Sequence, residues 1–431
     1  MSRYLFHSRP HSVLFAVITF LGAGVHAQDA VSTSTLSLGD ALQRAANRNP
    51  SLLAQGYQER AAAALIEQAA LRPNPTLDVS LENFAGTGAM QGVRGLEATV
   101  QASQTLERGG KRDKRVALAG RERDAVAKEY AVRRAEIMAA TASSYLEAFV
   151  AQRRLKLAEE PLRLARETLA AVTTRVQAGA ASPAESARAR AALAVAETEF
   201  TRAEAAVQAT RAALAANWGG LPEEAQVIAG SLRLPETVPN RDTLFARLAS
   251  HPRLELQQSV IAGRRAALDL AQSQAVQDVS VGGGLRFLRD GSDAALVAGV
   301  SIPLPVRNRN QGNIRAARET LAGAEQGVRA VEVELRATFT AAWQDLAAAH
   351  KAAQNLSRQA LPATEDAYKA VRHAYEQGQL PLIDVLDAQR ALVAIRREIL
   401  DAQSAYAAAQ ARIDALTDPA YGTVSALISH P

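Results

Sequence analysis

Four short segments of the chain alternate strictly between apolar and polar residues. This period is typical of strands whose two faces meet different surroundings. The apolar positions are Leu77, Val79 and Leu81, then Leu96, Ala98, Val100 and Ala102, then Val279, Val281, Leu285 and Phe287, and finally Leu296, Ala298, Val300 and Ile302. A Gly-rich turn at 85–93 and a tight polar turn at 289–293 join the segments in pairs. The pattern predicts one β-hairpin in each half of the chain.

Two long stretches without proline carry the residues that favour helices. Between Lys111 and Glu160, and between Asn310 and Ala360, the residues Ala, Arg, Glu, Gln and Leu predominate. About 50 residues at about 1.5 Å each form a rod of roughly 75 Å, and a separate short helix after Pro161 extends it to the order of 100 Å. An ordinary antiparallel coiled coil accounts for the rods alone, but it does not account for the strands.

The prolines divide the chain into two copies of one pattern. Asp78-Val79-Ser80 is matched by Asp278-Val279-Ser280, and four prolines recur in the same order. The pairs are Pro50 and Pro252, Pro161 and Pro362, Pro183 and Pro381, and Pro222 and Pro419. We therefore expect a tandem repeat. Residues 28–235 hold a helix, a hairpin at 75–104 and long helices over 111–216; residues 236–418 hold a helix, a hairpin at 278–303 and long helices over 310–417; residues 419–431 form a C-terminal tail.

Residues 1–27 have the pattern of an export signal. Arg3 and Arg9 precede an apolar run at 13–24, and Val25-His26-Ala27 places small residues before the expected cut. The run is shorter than the ~20 residues that a membrane-spanning helix needs. We predict cleavage after Ala27, with an uncleaved anchor as the alternative.

Alternating segments of about ten residues are typical of transmembrane β-barrels. A soluble sheet with one buried face gives the same pattern in any single strand. Four strands are fewer than the ~8 that close a barrel, and an open edge in lipid costs several kcal/mol per unpaired backbone group. Chains must therefore pool their strands, and two, three or four copies satisfy the arithmetic equally well.

Composition argues against several classes of function. The chain has 49 Lys+Arg against 44 Asp+Glu, a near balance that disfavours a nucleic-acid binder. The absence of cysteine excludes disulfides, thiolate metal sites and a lipid-accepting cysteine. The histidines lack metal-ligand spacing, and the glycine run at 282–284 lacks the Gly-Lys-Ser/Thr of a phosphate loop. We predict no catalytic residue, no resident metal and no cofactor, and hence no enzyme.

The order of helix, hairpin and long helices, given twice, resembles the TolC-type outer membrane factors. The most specific stretch contains Tyr375, Gly378 and the run Ile383-Asp384-Val385-Leu386-Asp387-Ala388. Three further runs resemble the CzcC branch, the outer components of heavy-metal efflux systems. They are Arg72-Pro-Asn-Pro75, Glu107-Arg-Gly-Gly-Lys-Arg112 and Pro303-Leu-Pro-Val-Arg-Asn-Arg-Asn-Gln-Gly312. TolC has an arginine two residues after the tip glycine, where this chain has Leu380.

The resemblance implies an α+β membrane protein of the outer membrane with a long periplasmic extension. Three chains would form a twelve-stranded β-barrel continuous with a periplasmic α-helical barrel of coiled coils. The partners would be outer-membrane lipid, a periplasmic membrane-fusion adaptor and a proton-driven inner-membrane RND pump. The cargo would be heavy-metal cations. A duct for type I protein secretion or drug efflux is the alternative, and a soluble periplasmic scaffold is a third hypothesis.

Asp384 and Asp387 share one face at the start of the last long helix. By themselves they fit helix capping and dipole compensation, worth ~0.3–1 kcal/mol for an exposed carboxylate. The resemblance implies instead that they ring the periplasmic entrance and select cations.

The two helix-hairpin tips combine glycine, which permits the turn, with proline, which restarts a helix. Turn formation explains this pattern, and the resemblance adds adaptor docking on exposed apolar tip residues. The docking candidates are Gly179, Ala180, Ser182, Pro183, Gly378, Leu380, Pro381 and Leu382.

Basic residues follow both hairpins, at the predicted junction of barrel and helices. No aromatic residues are interleaved with the first basic run, so nucleic-acid binding is disfavoured. We expect a solvated helix start close to anionic lipid headgroups. The junction candidates are Arg108, Lys111, Arg112, Arg307 and Arg309.

Overall fold

The computed structural model describes residues 35–225, 228, 230–418 and 421–428. The predicted signal peptide at 1–27 lies outside the described residues, and the predicted tail at 419–431 is described only at 421–428.

The first half of the chain builds two helices, a hairpin and a long helical pair. Its elements are α1 (Leu38–Arg48), α2 (Pro50–Ala70), β1 (Thr76–Glu82), β2 (Glu97–Leu106), α3 (Lys111–Gln177) and α4 (Pro183–Ala216). Helix α3 has 67 residues and is therefore about 100 Å long. The second half repeats this order after the short helix α5 (Arg241–Ala246). Its elements are α6 (Pro252–Ser273), β3 (Val279–Leu288), β4 (Asp293–Ser301), α7 (Gln311–Asn355), α8 (Leu361–Glu376), α9 (Leu382–Thr417) and the short α10 (Gly422–Leu427).

The two repeats differ where a proline interrupts the long helix. Helix α3 continues through Pro161, so the expected separate helix after Pro161 is wrong. In the second repeat, a π-helical turn at Leu356–Ala360 separates α7 from α8, and Pro362 lies in the first turn of α8. A proline in a helix interior removes one backbone hydrogen bond and crowds the preceding turn. In the first repeat the packing of α4 along α3 offsets that cost.

The four strands form one antiparallel sheet in the order β1-β2-β3-β4. Its register places Val79 opposite Val100, Val100 opposite Leu285, and Leu285 opposite Leu296. One face is therefore continuously apolar, and its large side chains are exposed in the single chain. These are Leu77, Val79, Leu81, Val100, Val281, Leu285, Phe287, Leu296 and Val300. The other face carries polar residues, and β1 and β4 form its two edges.

The largest buried core lies midway along the molecule, far from both the sheet and the hairpin tips. It forms where the middle of α3 meets the ends of α4 and α9 and part of α7. Phe339 contacts Phe245 edge to face, with ring centroids 5.6 Å apart. The largest fully buried members are Trp218, Tyr145, Tyr421, Phe149, Phe339 and Leu214. This core holds the long helices together midway along their length, and the sheet and the hairpin tips lie on opposite sides of it.

Within the described part of the chain, no helix combines the length and the apolar character needed to cross a membrane.

Candidate functional site

The two hairpin tips are built by the same backbone arrangement. Gly179 and Gly378 adopt positive φ values of 72° and 75°, which favour glycine at the end of a helix. The following amides close the turn, because Ala180 donates to the Arg175 carbonyl at 2.8 Å and Gln379 donates to the Ala374 carbonyl at 2.9 Å. The glycine and these local backbone hydrogen bonds therefore form the turn at both tips.

The two tips start their second helices differently. Ser182 accepts from the Glu185 amide, and Glu185 accepts from the Ser182 amide in return, which forms a capping box before Pro183. Pro381 occupies the same place before α9 and offers no side-chain cap. The start of α9 is thus held by its packing rather than by a cap.

An apolar cluster joins the two hairpins near their tips. Leu382 and Leu386 of α9 are buried against Val172 of α3. Leu382 is only 3% exposed, so the expectation that it forms exposed tip surface is wrong. The physical reason is that the second hairpin leans on the first, and Leu382 fills the contact. Ala180 is exposed and Leu380 is half-buried.

A polar link lies beside this cluster. The Arg175 guanidinium donates to the Tyr375 hydroxyl at 2.7 Å, and its carbon lies 5.3 Å from the centre of the Tyr375 ring. Sequence reasoning noted Tyr375 only within the family stretch and missed Arg175 entirely. The one available signal was that Arg175 occupies the last turn before a tip glycine.

The structure places Asp384 and Asp387 in the first two turns of α9, close to this cluster. Asp387 is exposed and pairs with Arg390 at 3.1 Å. Asp384 is half-buried, between the buried Leu382 and Leu386 in sequence. Because Arg390 partly neutralises Asp387, Asp384 supplies most of the negative charge at the start of α9.

At the other end of the helices, the first connector between sheet and helix is internally neutralised. Lys111 is largely covered and pairs with Asp278 at 2.7 Å, and the Arg108 amide donates to the same carboxylate at 3.0 Å. Burial raises the pKa of Asp278, but these hydrogen bonds outweigh it and the net pKa is lowered. Arg115 pairs with Glu107 and holds the pKa of that carboxyl below its usual range. Lys111 is therefore not the solvated cation that we expected.

The other junction residues keep their charges exposed. Arg112 makes only a 3.6 Å contact with its neighbour Asp113. Arg307 and Arg309 lie in the exposed connector of residues 302–310, between β4 and α7. Of the five junction residues, Lys111 is thus covered by a close ion pair, Arg112 makes a looser contact, and Arg108, Arg307 and Arg309 have exposed side chains.

One carboxylate is buried in the central core, and sequence reasoning did not single it out. Asp414 accepts from the Gln410 side chain at 2.8 Å and from the Val424 amide at 2.9 Å. Burial raises its pKa to about 6, while these hydrogen bonds oppose the shift. Asp414 therefore ties the end of α9 to α10.

Among the described residues, no group of three or more His, Asp or Glu side chains could hold a metal ion. The polar face of the sheet carries one internal ion pair, in which Arg286 contacts Glu97 at 3.1 Å and also donates to Thr99. The candidate site therefore consists of charged and apolar surfaces.

Comparison with known proteins agrees with this geometry. Residues 41–220 and 247–418 match the family described as "Outer membrane efflux protein". The cobalt-zinc-cadmium resistance protein CzcC of Cupriavidus metallidurans is 31% identical over 361 residues, which cover 84% of this chain and 85% of that protein. The nickel and cobalt resistance protein CnrC of the same organism is 30% identical over 348 residues, covering 80% and 81%.

Solved structures show the same fold. The outer membrane protein VceC of Vibrio cholerae superposes with a TM-score of 0.71 at 21% identity, covering 88% of this chain and 96% of that chain. The CmeC outer membrane channel of Campylobacter jejuni gives a TM-score of 0.71 at 16% identity, covering 89% and 86%.

Proposed function

Because this chain belongs to the outer membrane efflux protein family, we propose that it is the outer-membrane channel of a tripartite efflux system that exports heavy-metal cations. Its location in the outer membrane follows from the family, and its TolC-like fold follows from the family and from the solved structures. The observation that supports a metal cargo is the 31% identity to CzcC over 84% of the chain. The chain acts as a conduit and not as a catalyst.

The unpaired edges of the sheet support assembly into a trimer. Strand β1 and strand β4 are edge strands, and the apolar face between them is exposed in the single chain. Three copies would bring twelve strands together, within the size range of membrane barrels. The helices would continue this barrel into the periplasm, with 1–27 removed as the signal peptide and the repeats divided at 235–236.

At the tips we propose the adaptor-docking surface, and at the start of α9 the entrance filter. Gly179, Ala180, Ser182 and Pro183 of the first tip, and Gly378, Leu380 and Pro381 of the second, offer backbone turns and small apolar groups to an adaptor. The buried Leu382 supports this surface from beneath. Asp384 and Asp387 would face the axis in three copies, and the inner-membrane pump would deliver cargo through this entrance.

A complementation experiment tests the proposed cargo. The chain is expressed in a host that retains a metal-exporting RND pump and its adaptor but lacks their outer-membrane component. We expect restored growth on cobalt, zinc or cadmium salts. The control is the same host without the pump, where the chain should give no protection. Restored tolerance to organic drugs with unchanged metal sensitivity would contradict the metal cargo and favour the drug-efflux alternative.

A further inference from the structure

The connector of residues 302–310, which joins β4 to α7, differs in charge from its counterpart in the first repeat. Both connectors end in a left-handed residue that precedes a long helix, Gly110 at φ 67° and Asn310 at φ 60°. In the first repeat, the position that starts the turn is Glu107, and it pairs with Arg115. The corresponding positions of the second repeat are Arg307 and Arg315, two like charges.

No acidic residue occurs anywhere between Ala294 and Arg318. Arg307, Arg309 and Arg315 are exposed, and none of them pairs with a carboxylate of the described residues. Two side chains of the connector nonetheless donate to backbone carbonyls. Arg309 donates through Nε to the Pro305 carbonyl at 3.2 Å, and Asn310 donates to the Ala271 carbonyl at 2.7 Å. In the single chain these arginines therefore have no carboxylate partner among the described residues, and Arg309 is positioned by a backbone carbonyl.

Exposed apolar side chains lie immediately beside these cations. Leu304 is 79% exposed and Val306 is 77% exposed. They follow Ile302, which continues the alternation of the apolar face of β4. The connector is therefore contiguous with the apolar face of the sheet, and it lies at the end of the sheet nearer to the helices.

A polar cavity of about 630 Å³ opens between this connector and the end of α6. Gln274 and Gln277 line one side, and the connector lines the other with Arg307, Asn308 and Asn310 together with Leu304, Pro305 and Val306 at its rim. Amide and guanidinium donors are the groups that bind phosphate oxygens, and the guanidinium fork can donate two bonds at once. A free phosphate would use these donors but would leave Leu304 and Val306 exposed to water.

We propose that the connector of residues 302–310 binds the phosphate group of an anionic phospholipid in the inner leaflet of the outer membrane. Arg307 and Arg309 contact the phosphate, and Leu304 and Val306 enter the acyl region beside it. Interfacial segments that combine cations with apolar side chains bind anionic bilayers by these two contributions together. The proposal rests on the membrane position of the sheet and is independent of the exported cargo.

Native mass spectrometry of the detergent-solubilised assembly tests this inference. The probes are a phosphatidylglycerol, a phosphatidylcholine with the same acyl chains, and inorganic phosphate. We expect preferential retention of phosphatidylglycerol by the wild type. Arg307→Gln/Arg309→Gln should lower its binding about 25-fold, from about fivefold for each cation at an anionic surface. The single variant Arg307→Gln, whose side chain makes no described hydrogen bond, should lower it about fivefold.

The matched control is Arg329→Gln, an exposed arginine of α7 that has no ion pair with any residue the structure describes and lies about 27 Å from the start of that helix. It should leave lipid binding unchanged, and the mass of the assembly in the same spectra reports folding.

Leu304→Ser/Val306→Ser separates the two phosphate sources. Loss of phosphatidylglycerol binding in that variant supports the lipid. Undiminished binding there, with displacement by inorganic phosphate, would identify a free-phosphate site and overturn the proposal. Unchanged lipid preference in the double arginine variant, or equal loss in Arg329→Gln, would overturn it as well. Metal export has no part in this readout, so a failed cargo assignment would leave it unaffected.

Discussion

At Asp384 and Asp387, the choice between helix caps and a cation filter depends on charge. We expect Asp384→Asn/Asp387→Asn to lower the cation selectivity of single channels in planar bilayers, and to lower block by multivalent cations further. In three copies the change removes six negative charges that would lie near one axis, where like charges a few Å apart repel by a few kcal/mol per pair at an effective dielectric constant of ~20. Asp387 already pairs with Arg390, so Asp384→Asn alone should account for most of the effect.

The matched control is Asp366→Asn on α8, which breaks a similar exposed pair with Lys369 away from the tip. Its selectivity should equal that of the wild type. If the double variant keeps both its selectivity and its multivalent block, then the two aspartates act only on the helix start.

The Arg175–Tyr375 link gives a second prediction at this scale. Arg175→Gln removes both the hydrogen bond and the cation–π contact, whereas Tyr375→Phe removes the hydrogen bond alone. Since exposed contacts of these kinds are each worth about 0.5–1 kcal/mol, the open fraction of the resting entrance should rise about five- to thirtyfold in Arg175→Gln, which loses both, and about two- to fivefold in Tyr375→Phe, which loses one. Single-channel open probability measures this, with Arg190→Gln on α4 as control, since that exposed arginine has no ion pair within the described part of the chain. Equal open probability in all three would show that the apolar cluster around Leu382 holds the entrance without the link.

Asp414 gives a prediction about pH. Its pKa of about 6 in the folded chain lies above the unfolded value of 3.8, so the folded state binds the proton more tightly. The stabilisation from the protonated form is full below pH 4 and is lost as the pH rises through 6. Between pH 4 and pH 7 the wild type should therefore lose about 2 kcal/mol relative to Asp414→Asn. Thermal unfolding of both proteins across this range measures the difference; parallel curves would show that Asp414 titrates normally.

The candidate site was partly visible in the sequence. Glycine and proline at the tips identified both turns, because their backbone requirements are local. The burial of Leu382 and the link from Arg175 were not visible, since they depend on how two hairpins about 200 residues apart in the tandem repeat lean on each other. The charges of Arg307 and Lys111 read alike in the sequence, and only the packed structure shows that Asp278 neutralises one of them.

Among the elements, the strands were easier to predict than the helix ends. Alternation located the hairpins within a few residues, because a period of two in a sheet with one apolar face has a single favourable register. Helix continuity was not predictable at Pro161, since tertiary packing overrides the local cost of proline. The π-helical turn at Leu356–Ala360 was not predictable either, because its sequence shows no feature that distinguishes it from the corresponding segment of the first repeat.

This asymmetry between the repeats predicts different effects of two proline replacements. Pro161→Ala should stabilise the protein by about 1–3 kcal/mol, because it restores a hydrogen bond and relieves crowding inside α3. Pro362→Ala should stabilise the protein by less, because the π-helical turn at Leu356–Ala360 already accommodates the ring within the continuous run of helix. The midpoints of denaturant unfolding compare the two directly. Equal stabilisation by both would mean that the π-helical turn does not relieve the strain of its proline.

On the scale of the whole molecule, the central core divides the chain into a lipid-facing end and a periplasmic end. The family and the fold were predictable, because the tandem order of helix, hairpin and helix is specific to this architecture. The number of copies was not, since two, three or four sets of four strands satisfy the same arithmetic. The orientation follows from the fold: both hairpin turns point away from the long helices, so they should reach the outside of the cell.

Because the chain has no cysteine, single cysteines report this orientation without background. Ala89→Cys lies in the first hairpin turn and Asp290→Cys in the second, and both positions are exposed. On intact cells both should react with a membrane-impermeant maleimide, while Ala180→Cys at the helical tip should react only after the outer membrane is ruptured. The tip control is likewise exposed and has the same chemistry, so a difference in labelling reflects the compartment. Labelling of Ala180→Cys on intact cells, with protection of the two turns, would place the helices outside the cell and invert the proposed path of export.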